Sequence, residues 1–404
     1  MTELLEATTT TVAEPPYADF PTAEYQARVA KAQRLMREQG IDVLLLAQQE
    51  NVEYFSGFLT GHWGSKTFAT AVVLLHRDRD PILVIPEFFR GNAERSSWVA
   101  EHVMFPECHA RPRGFADSVI EGVRRLGALT GVIGIESGDN LAGGWNLADY
   151  HAVRDGLSNA DFRSAQDVIW GCRSIKSAAE VERMRHVVRM TDQAIVTAYD
   201  NTHEGSSELD VASWISRTGA HLGADGTSFL NIRAGLPRYP CTDSLPVARP
   251  IERGDMLLVD VGLTKRLYQT DVAYVAHVGT APDEHRRWYD AIVRSHEAML
   301  QALRPGVRAK DVYEEGRKIL ADFGRGGYLD MMGHGIGMDV HEPPIITPYD
   351  ERIIEPGMMF AIEPWLYDTS GIGLFCVEEI VHVTEDGLEI LSSIPRDELR
   401  TVDS

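Results

Sequence analysis

Five residues in the second half of this chain have types and surroundings that folding alone does not call for. Asp260 ends the apolar run Met256-Leu-Leu-Val, and Val261 and Gly262 follow it. Asp271 opens the next apolar stretch, with Tyr268 just before it. Glu363 interrupts Met358-Met-Phe-Ala-Ile-Glu-Pro, and Glu378 interrupts Phe375-Cys-Val-Glu-Glu-Ile-Val. One aspartate at a strand end is usually a turn former, and one Glu-Pro pair means little. Four carboxylates among apolar residues are different, because burying even one without a partner is prohibitive. Few cations are at hand, since Lys265 and Arg266 lie in a connection. A bound metal is the simplest partner. His334, in Met332-Gly-His-Gly-Ile-Gly, is flanked by glycines that let backbone approach a site closely. Its imidazole suits manganese, iron, cobalt or zinc rather than magnesium or calcium.

Strands must carry these groups. Residues 256–261, 271–278, 358–363 and 376–383 read as strands. A hairpin with residues 262–270 as its loop would set Asp260 opposite Asp271. Helices come earlier: Ser177-Ala-Ala-Glu180 reads as a capping box opening a long helix. Residues 209–222, 286–303 and 312–323 read as further helices. Helices first and strands later predict an α+β domain over residues 171–404. The preceding stretch alternates instead. A helix over 25–40, ended by Gly40, leads into a buried strand over 41–47. Strands over 68–75 and 81–86, a helix over 115–126, a strand over 132–136 and a helix over 146–157 follow. This predicts an α/β domain over residues 21–170, with a boundary over 165–173. Residues 1–20 read as a flexible arm.

Composition narrows the function. With 39 Lys+Arg against 60 Asp+Glu, the net charge of -21 argues against a nucleic-acid binder and against docking on anionic lipid. Cys108, Cys172, Cys241 and Cys376 are widely spaced, so a disulfide scaffold or zinc ribbon is not expected. No Gly-x-Gly-x-x-Gly follows a strand, so no dinucleotide site is indicated. The chain contains no long apolar span, and its start lacks the pattern of a secretory signal. The expectation is a soluble, cytoplasmic protein.

Leu258-Val-Asp-Val-Gly, Tyr268-Gln-Thr-Asp, Gly333-His-Gly-Ile-Gly, Val340-His-Glu-Pro-Pro, Ala361-Ile-Glu-Pro and Val377-Glu together resemble the pita-bread metallopeptidases. That group holds the Xaa-Pro aminopeptidases, prolidases and methionine aminopeptidases, with creatinase as a metal-free relative. Arg173-Ser-Ile-Lys-Ser-Ala-Ala-Glu resembles the opening of their catalytic domain. The resemblance implies a creatinase-like amino-terminal domain, a pita-bread catalytic domain, a homodimer and two divalent metal ions, manganese first among them. It implies that Asp260 binds one metal, His334 and Glu363 the other, and that Asp271 and Glu378 bridge. Such a pair lowers the pKa of a shared water and polarises a scissile carbonyl. Glu363 would also shuttle a proton, and His341 would contact substrate and stabilise the tetrahedral intermediate. The implied activity is hydrolysis of a C–N bond in an Xaa-Pro dipeptide or a small non-peptide amide.

The chain departs from the proline-peptidase pattern at two places. Asp243 stands where family members commonly carry a histidine, and Cys376 stands where many carry an arginine. Both changes disfavour an anionic substrate group and favour an amine or a neutral one. The segment Gly57-Phe-Leu-Thr-Gly-His-Trp-Gly-Ser-Lys resembles the creatinase segment that reaches toward a partner's active site, making His62, Trp63 and Lys66 substrate-contact candidates. The competing reading packs them on their own domain. A metal-dependent dimethylsulfoniopropionate lyase of the same fold is the alternative activity. That enzyme carries a second Asp two residues after the first, where this chain has Gly262. A catalytically dead binding protein would be expected to lose ligands, and all five are present.

Overall fold

The computed structural model describes residues 14–64, 71–106, 114–141, 143–235, 244–323, 330–368 and 373–402. The chain divides into two compact units, Met1–Cys172 and Arg173–Ser404.

The first unit runs α1 (Thr22–Gln39), β1 (Val43–Leu46), α2 (Gln49–Ser56), β2 (Val72–His76), β3 (Ile82–Pro86), α3 (Arg90–Ser96), β4 (Glu101–Phe105), α4 (Phe115–Arg125), β5 (Val132–Ile135), α5 (Leu147–Gly156), β6 (Asp161–Ser164) and α6 (Gln166–Arg173). Its six strands form one mixed sheet in the order β4-β3-β2-β1-β5-β6. Val43, Leu45, Val72, Leu74 and Val84 of the sheet pack against Phe115, Val119 and Val123 of α4. The expected α/β alternation is present. The stretch 165–173, where a boundary is expected, is mostly helix, because Val168, Ile169 and Cys172 form a fully buried face at helical spacing. Helix α2 and strands β4 and β6 were not anticipated.

The second unit opens with α7 (Ala178–Asn201), whose Ser177–Glu180 capping box is present in both directions. Such a cap is worth about 1 kcal/mol. Then come α8 (Glu208–Leu222), β7 (Gly226–Ala234), β8 (Met256–Lys265), β9 (Tyr268–Gln269), β10 (Val272–Val278), α9 (Asp283–Ala302) and α10 (Ala309–Leu320). The remaining strands are β11 (Gly333–Gly335), β12 (Glu342–Ile345), β13 (Met359–Ile362), β14 (Trp365–Asp368), β15 (Gly373–Cys376), β16 (Glu379–Val383), β17 (Leu388–Ile390) and β18 (Arg400–Val402). One sheet runs β18-β10-β8-β7, with β9 on β8; a second runs β12-β11-β13-β16-β17; β14 and β15 pair separately. Two helices therefore separate the strand groups, so the order is not simply helices and then strands.

Two sequence expectations need correction. Residues 262–270 are not a loop. Strand β8 continues to Lys265, pairs with β9, and turns only at Arg266 and Leu267, both at positive φ. Residues 376–383 are not one strand. The chain leaves the β14–β15 pair after Cys376 and joins the second sheet at Glu379, so Val377 and Glu378 form the crossing. No described helix is long and apolar enough to cross a membrane.

Candidate metal centre

Register explains why two aspartates meet. Asp260 on β8 lies opposite Ala273 of β10 and Asn231 of β7. Side chains alternate faces along a strand, so Asp271, two residues before Ala273, stands on Asp260's face as its diagonal neighbour. The chain around Asp271 is pinned at Thr270. The Leu263 N–H donates to Thr270 Oγ1 at 2.9 Å, and the Thr191 hydroxyl of α7 lies 2.8 Å from the same oxygen. Gly262 makes this close approach feasible. A Cβ there would meet the Thr270 carbonyl oxygen at 2.5 Å.

The second sheet supplies the facing groups. His334 is the central residue of β11, between β12 and β13. Its Nδ1 lies 3.0 Å from the Gly335 carbonyl. That contact assigns the proton to Nδ1 and turns Nε2 toward the carboxylates. Glu363 follows β13, where its N–H donates to the Met332 carbonyl at 2.9 Å. The Trp365 indole donates to Glu363 Oε2 at 2.7 Å, leaving Oε1 to face His334. Glu378 sits in the crossing between β15 and β16, with its N–H donating to the Ala273 carbonyl at 2.8 Å.

The five side chains converge. Nε2 of His334 lies 3.3 Å from Glu363 Oε1, 3.4 Å from Asp271 Oδ2 and 3.9 Å from Glu378 Oε1. Two overlapping triplets, His334–Glu363–Glu378 and Asp260–Asp271–Glu378, each bring ligand atoms within 4.8 Å of one another. All five residues are buried, at 0–8% exposure. Nε2 of His334, Oε1 of Glu363 and both carboxylate oxygens of Glu378 are buried without a hydrogen-bond partner. Orphan atoms of this kind cost free energy unless a cation satisfies them. The donor set, one imidazole and four carboxylates, fits divalent transition metals.

Electrostatics agree with this placement. Burial, then the neighbouring Asp271, push the Asp260 and Glu378 carboxyls well above the ordinary range. Burial also raises Glu363, against the pull of His334. Burial would lower His334, but Asp271 and Glu363 outweigh it and raise the imidazole to about 10. Without metal, protons on these groups provide the compensation a cation would otherwise supply.

His341 stands beside this cluster, its ring centroid 4.2 Å from that of His334 and nearly perpendicular to it. Its ring nitrogen, with ligand atoms of Asp271 and His334, forms a third close triplet. Cys376 is fully buried next to Glu378, and burial followed by that carboxylate raises its thiol well above the ordinary range. His62 and Trp63 belong to the first unit. There His62 lies against Phe89 and Phe88, with ring centroids 5.5 Å and 6.0 Å away, and Trp63 against Phe58. Lys66 and Asp243 lie outside the described residues.

Sequence reading missed several supporting groups. Asn231 Nδ2 donates to Asp260 Oδ2 at 2.8 Å, but β7 was not anticipated, so nothing pointed to it. Trp365 was visible two residues after Glu363, yet its bond depends on the rotamer. The count of nearby cations was also incomplete. Lys265 is committed to Asp225, while the buried Arg233 of β7 lies on the Asn231 face and its charge bears on Asp260.

Residues 182–385 match metallopeptidase family M24, and residues 28–175 match the creatinase/prolidase N-terminal domain. The chain belongs to metallopeptidase family M24. It is a metal-dependent peptidase with the two-domain fold expected from its sequence, a creatinase-like domain followed by a pita-bread catalytic domain. An Xaa-Pro dipeptidase of Pyrococcus furiosus is 26% identical over 373 residues, spanning 92% of this chain and 99% of that protein. The crystal structure of a prolidase from Pyrococcus horikoshii superposes with a TM-score of 0.78 at 26% identity, covering 92% of this chain and 99% of that one. Dipeptidase PepE from Mycobacterium ulcerans gives a TM-score of 0.81 at 25% identity, covering 95% and 100%.

Proposed function

We propose that this protein hydrolyses Xaa-Pro dipeptides, using two divalent metal ions held by Asp260, Asp271, His334, Glu363 and Glu378. The observation that carries the reading is the set of orphaned buried atoms on His334, Glu363 and Glu378, in a chain nearly coextensive with a relative named Xaa-Pro dipeptidase. When bound, the metals supply Lewis acidity to a carbonyl and make a water acidic enough to be a nucleophile. In this reading Asp260 would hold one metal, His334 and Glu363 would hold the other, and Asp271 and Glu378 would be shared between them. Glu363 takes a proton from the attacking water and returns it to the leaving nitrogen as the C–N bond breaks. Trp365 holds Oε2 of Glu363, which keeps the carboxylate in one orientation. His341, beside His334, donates a hydrogen bond to the developing oxyanion. His62, Trp63 and Lys66 contact substrate across a homodimer, Asp243 lines the substrate side, and the enzyme works in the cytoplasm with manganese. These finer assignments rest on the family resemblance.

A second reading, a small amide presenting an amine or neutral group, is favoured by the uncharged Cys376. Arg233 favours the dipeptide, because it puts a cation on the face that carries Asp260. A lyase-type second aspartate at position 262 has no room, since any Cβ there strikes the Thr270 carbonyl. The deciding experiment is elemental analysis of purified protein, then chelation, metal reloading and kinetics on Xaa-Pro dipeptides against small N-acyl compounds. Metal-dependent turnover of Xaa-Pro is expected. Full activity after exhaustive chelation, with no metal found, would overturn the reading.

A further inference from the structure

Two motifs remain unused by that reading: the basic pair of Arg173-Ser-Ile-Lys176 and the glutamate of His341-Glu342-Pro-Pro. The fold joins them. Glu342 Oε1 accepts from Arg173 Nη2 at 2.6 Å, and Oε2 accepts from Lys176 Nζ at 2.9 Å. The three side chains are 1–2% exposed. Asp339 Oδ2 accepts from Arg173 Nη2 at 2.8 Å, which balances the second cation. Glu342 Oε1 also accepts the backbone N–H groups of Met338 and Asp339, at 3.1 Å and 3.2 Å. It therefore grips the backbone of the loop between His334 and His341. From the other side, the Gln269 backbone N–H and side-chain amide bond the Gly337 and Met338 carbonyls, both at 2.8 Å. Gln269 is two residues from Asp271.

We infer that Glu342, clamped by Arg173 and Lys176, is a positioning residue that holds His341 at its working distance from the metal centre. The inference rests on the role proposed for His341. A loop of six residues could otherwise let the imidazole drift, and small misplacements at a reacting centre are costly in rate. The Gln269 bonds tie the same loop to the strand connection that carries Asp271, so His341 is set relative to both sheets.

The test is a double-mutant cycle on metal-loaded enzyme, using whichever substrate is turned over. Glu342→Gln alone leaves one buried positive charge without a counter-charge, since Asp339 still balances Arg173, and risks unfolding. Glu342→Gln with Lys176→Met restores the local charge balance, so it is the main variant. Each is made with His341 and with His341→Ala, reading kcat, KM, bound metal and melting temperature. The charge-balanced variant should keep its metals and lose about ten- to a hundredfold in kcat. With His341→Ala in place, the same change should alter kcat by less than about twofold. Equal losses in both backgrounds, or a kcat that returns to wild type in the charge-balanced variant, would overturn the inference and leave the His341 assignment standing. An unchanged kcat in His341→Ala itself would overturn the role of His341, and the inference with it.

Discussion

Nε2 of His334 has two carboxylate oxygens within 3.4 Å and no aligned hydrogen bond to either. Without metal this imidazole is held protonated, with its pKa raised from 6.5 to about 10. A metal must displace that proton, together with those on the raised carboxyls of Asp260, Glu363 and Glu378. Metal binding near neutral pH is therefore expected to release protons and to tighten as pH rises. Calorimetry in buffers of different ionisation enthalpy checks this, and a heat independent of buffer would contradict it. At the same scale, Asp271→Ala and Glu378→Ala should abolish turnover while the fold stays assembled, measured by activity beside circular dichroism. Glu363→Gln should lower kcat far more than it raises KM, if Glu363 carries the proton. Near-normal turnover in Glu363→Gln would remove that role.

The hairpin of β8, β9 and β10 is the element on which Asp260 and Asp271 depend. Its close approach at Gly262 leaves no space for a side chain, with the Ser228 hydroxyl and the Thr270 carbonyl oxygen both in the way. Gly262→Ala should push Thr270 and its neighbour Asp271 away from β8. Overpacking of this kind costs roughly 1–3 kcal/mol. The expected result is a lower melting temperature with weakened metal binding, read by thermal denaturation and metal titration. A variant with wild-type metal affinity would show that the hairpin tolerates the strain without moving Asp271. The crossing at Val377 and Glu378 acts similarly, since its bond to the Ala273 carbonyl brings a residue between two sheets to the first sheet's aspartates.

For the whole molecule, the raised groups of the centre set a pH dependence. Groups whose folded pKa exceeds the unfolded value contribute stability at low pH and lose it as pH rises. Asp260, His334, Glu363 and Glu378 all shift upward in the metal-free protein. The metal-free melting temperature should therefore fall as pH rises from 6.5 toward about 10, the interval between the ordinary and the raised pKa of His334, and the stabilisation by added metal should grow as pH rises through it. Thermal scans with and without chelator test this; a metal increment that shrinks with pH would contradict it. Glu342 acts in the opposite sense. Burial opposes its ionisation, but Lys176 and Arg173 bring its carboxyl down from 4.5 to about 2. Its contribution is present above 4.5 and is lost as pH falls toward 2.

The ligand residues were legible in the chain because chemistry made them conspicuous. A carboxylate inside Met256-Leu-Leu-Val-Asp or Phe375-Cys-Val-Glu needs a cation, and that follows from residue types alone. The capping box at Ser177 and the helices that follow were legible for a similar reason, since local periodicity and local hydrogen bonds determine them. Pairing between distant strands was not. That Asp260 meets Asn231, that residues 262–265 continue a strand, and that Glu378 marks a change of sheet depend on register, which no short window contains. The bond joining Arg173 and Lys176 to Glu342 spans more than 160 residues. Sequence determined which groups need partners. Only the tertiary structure decided which partners they received, because those contacts are made by residues far apart in the chain.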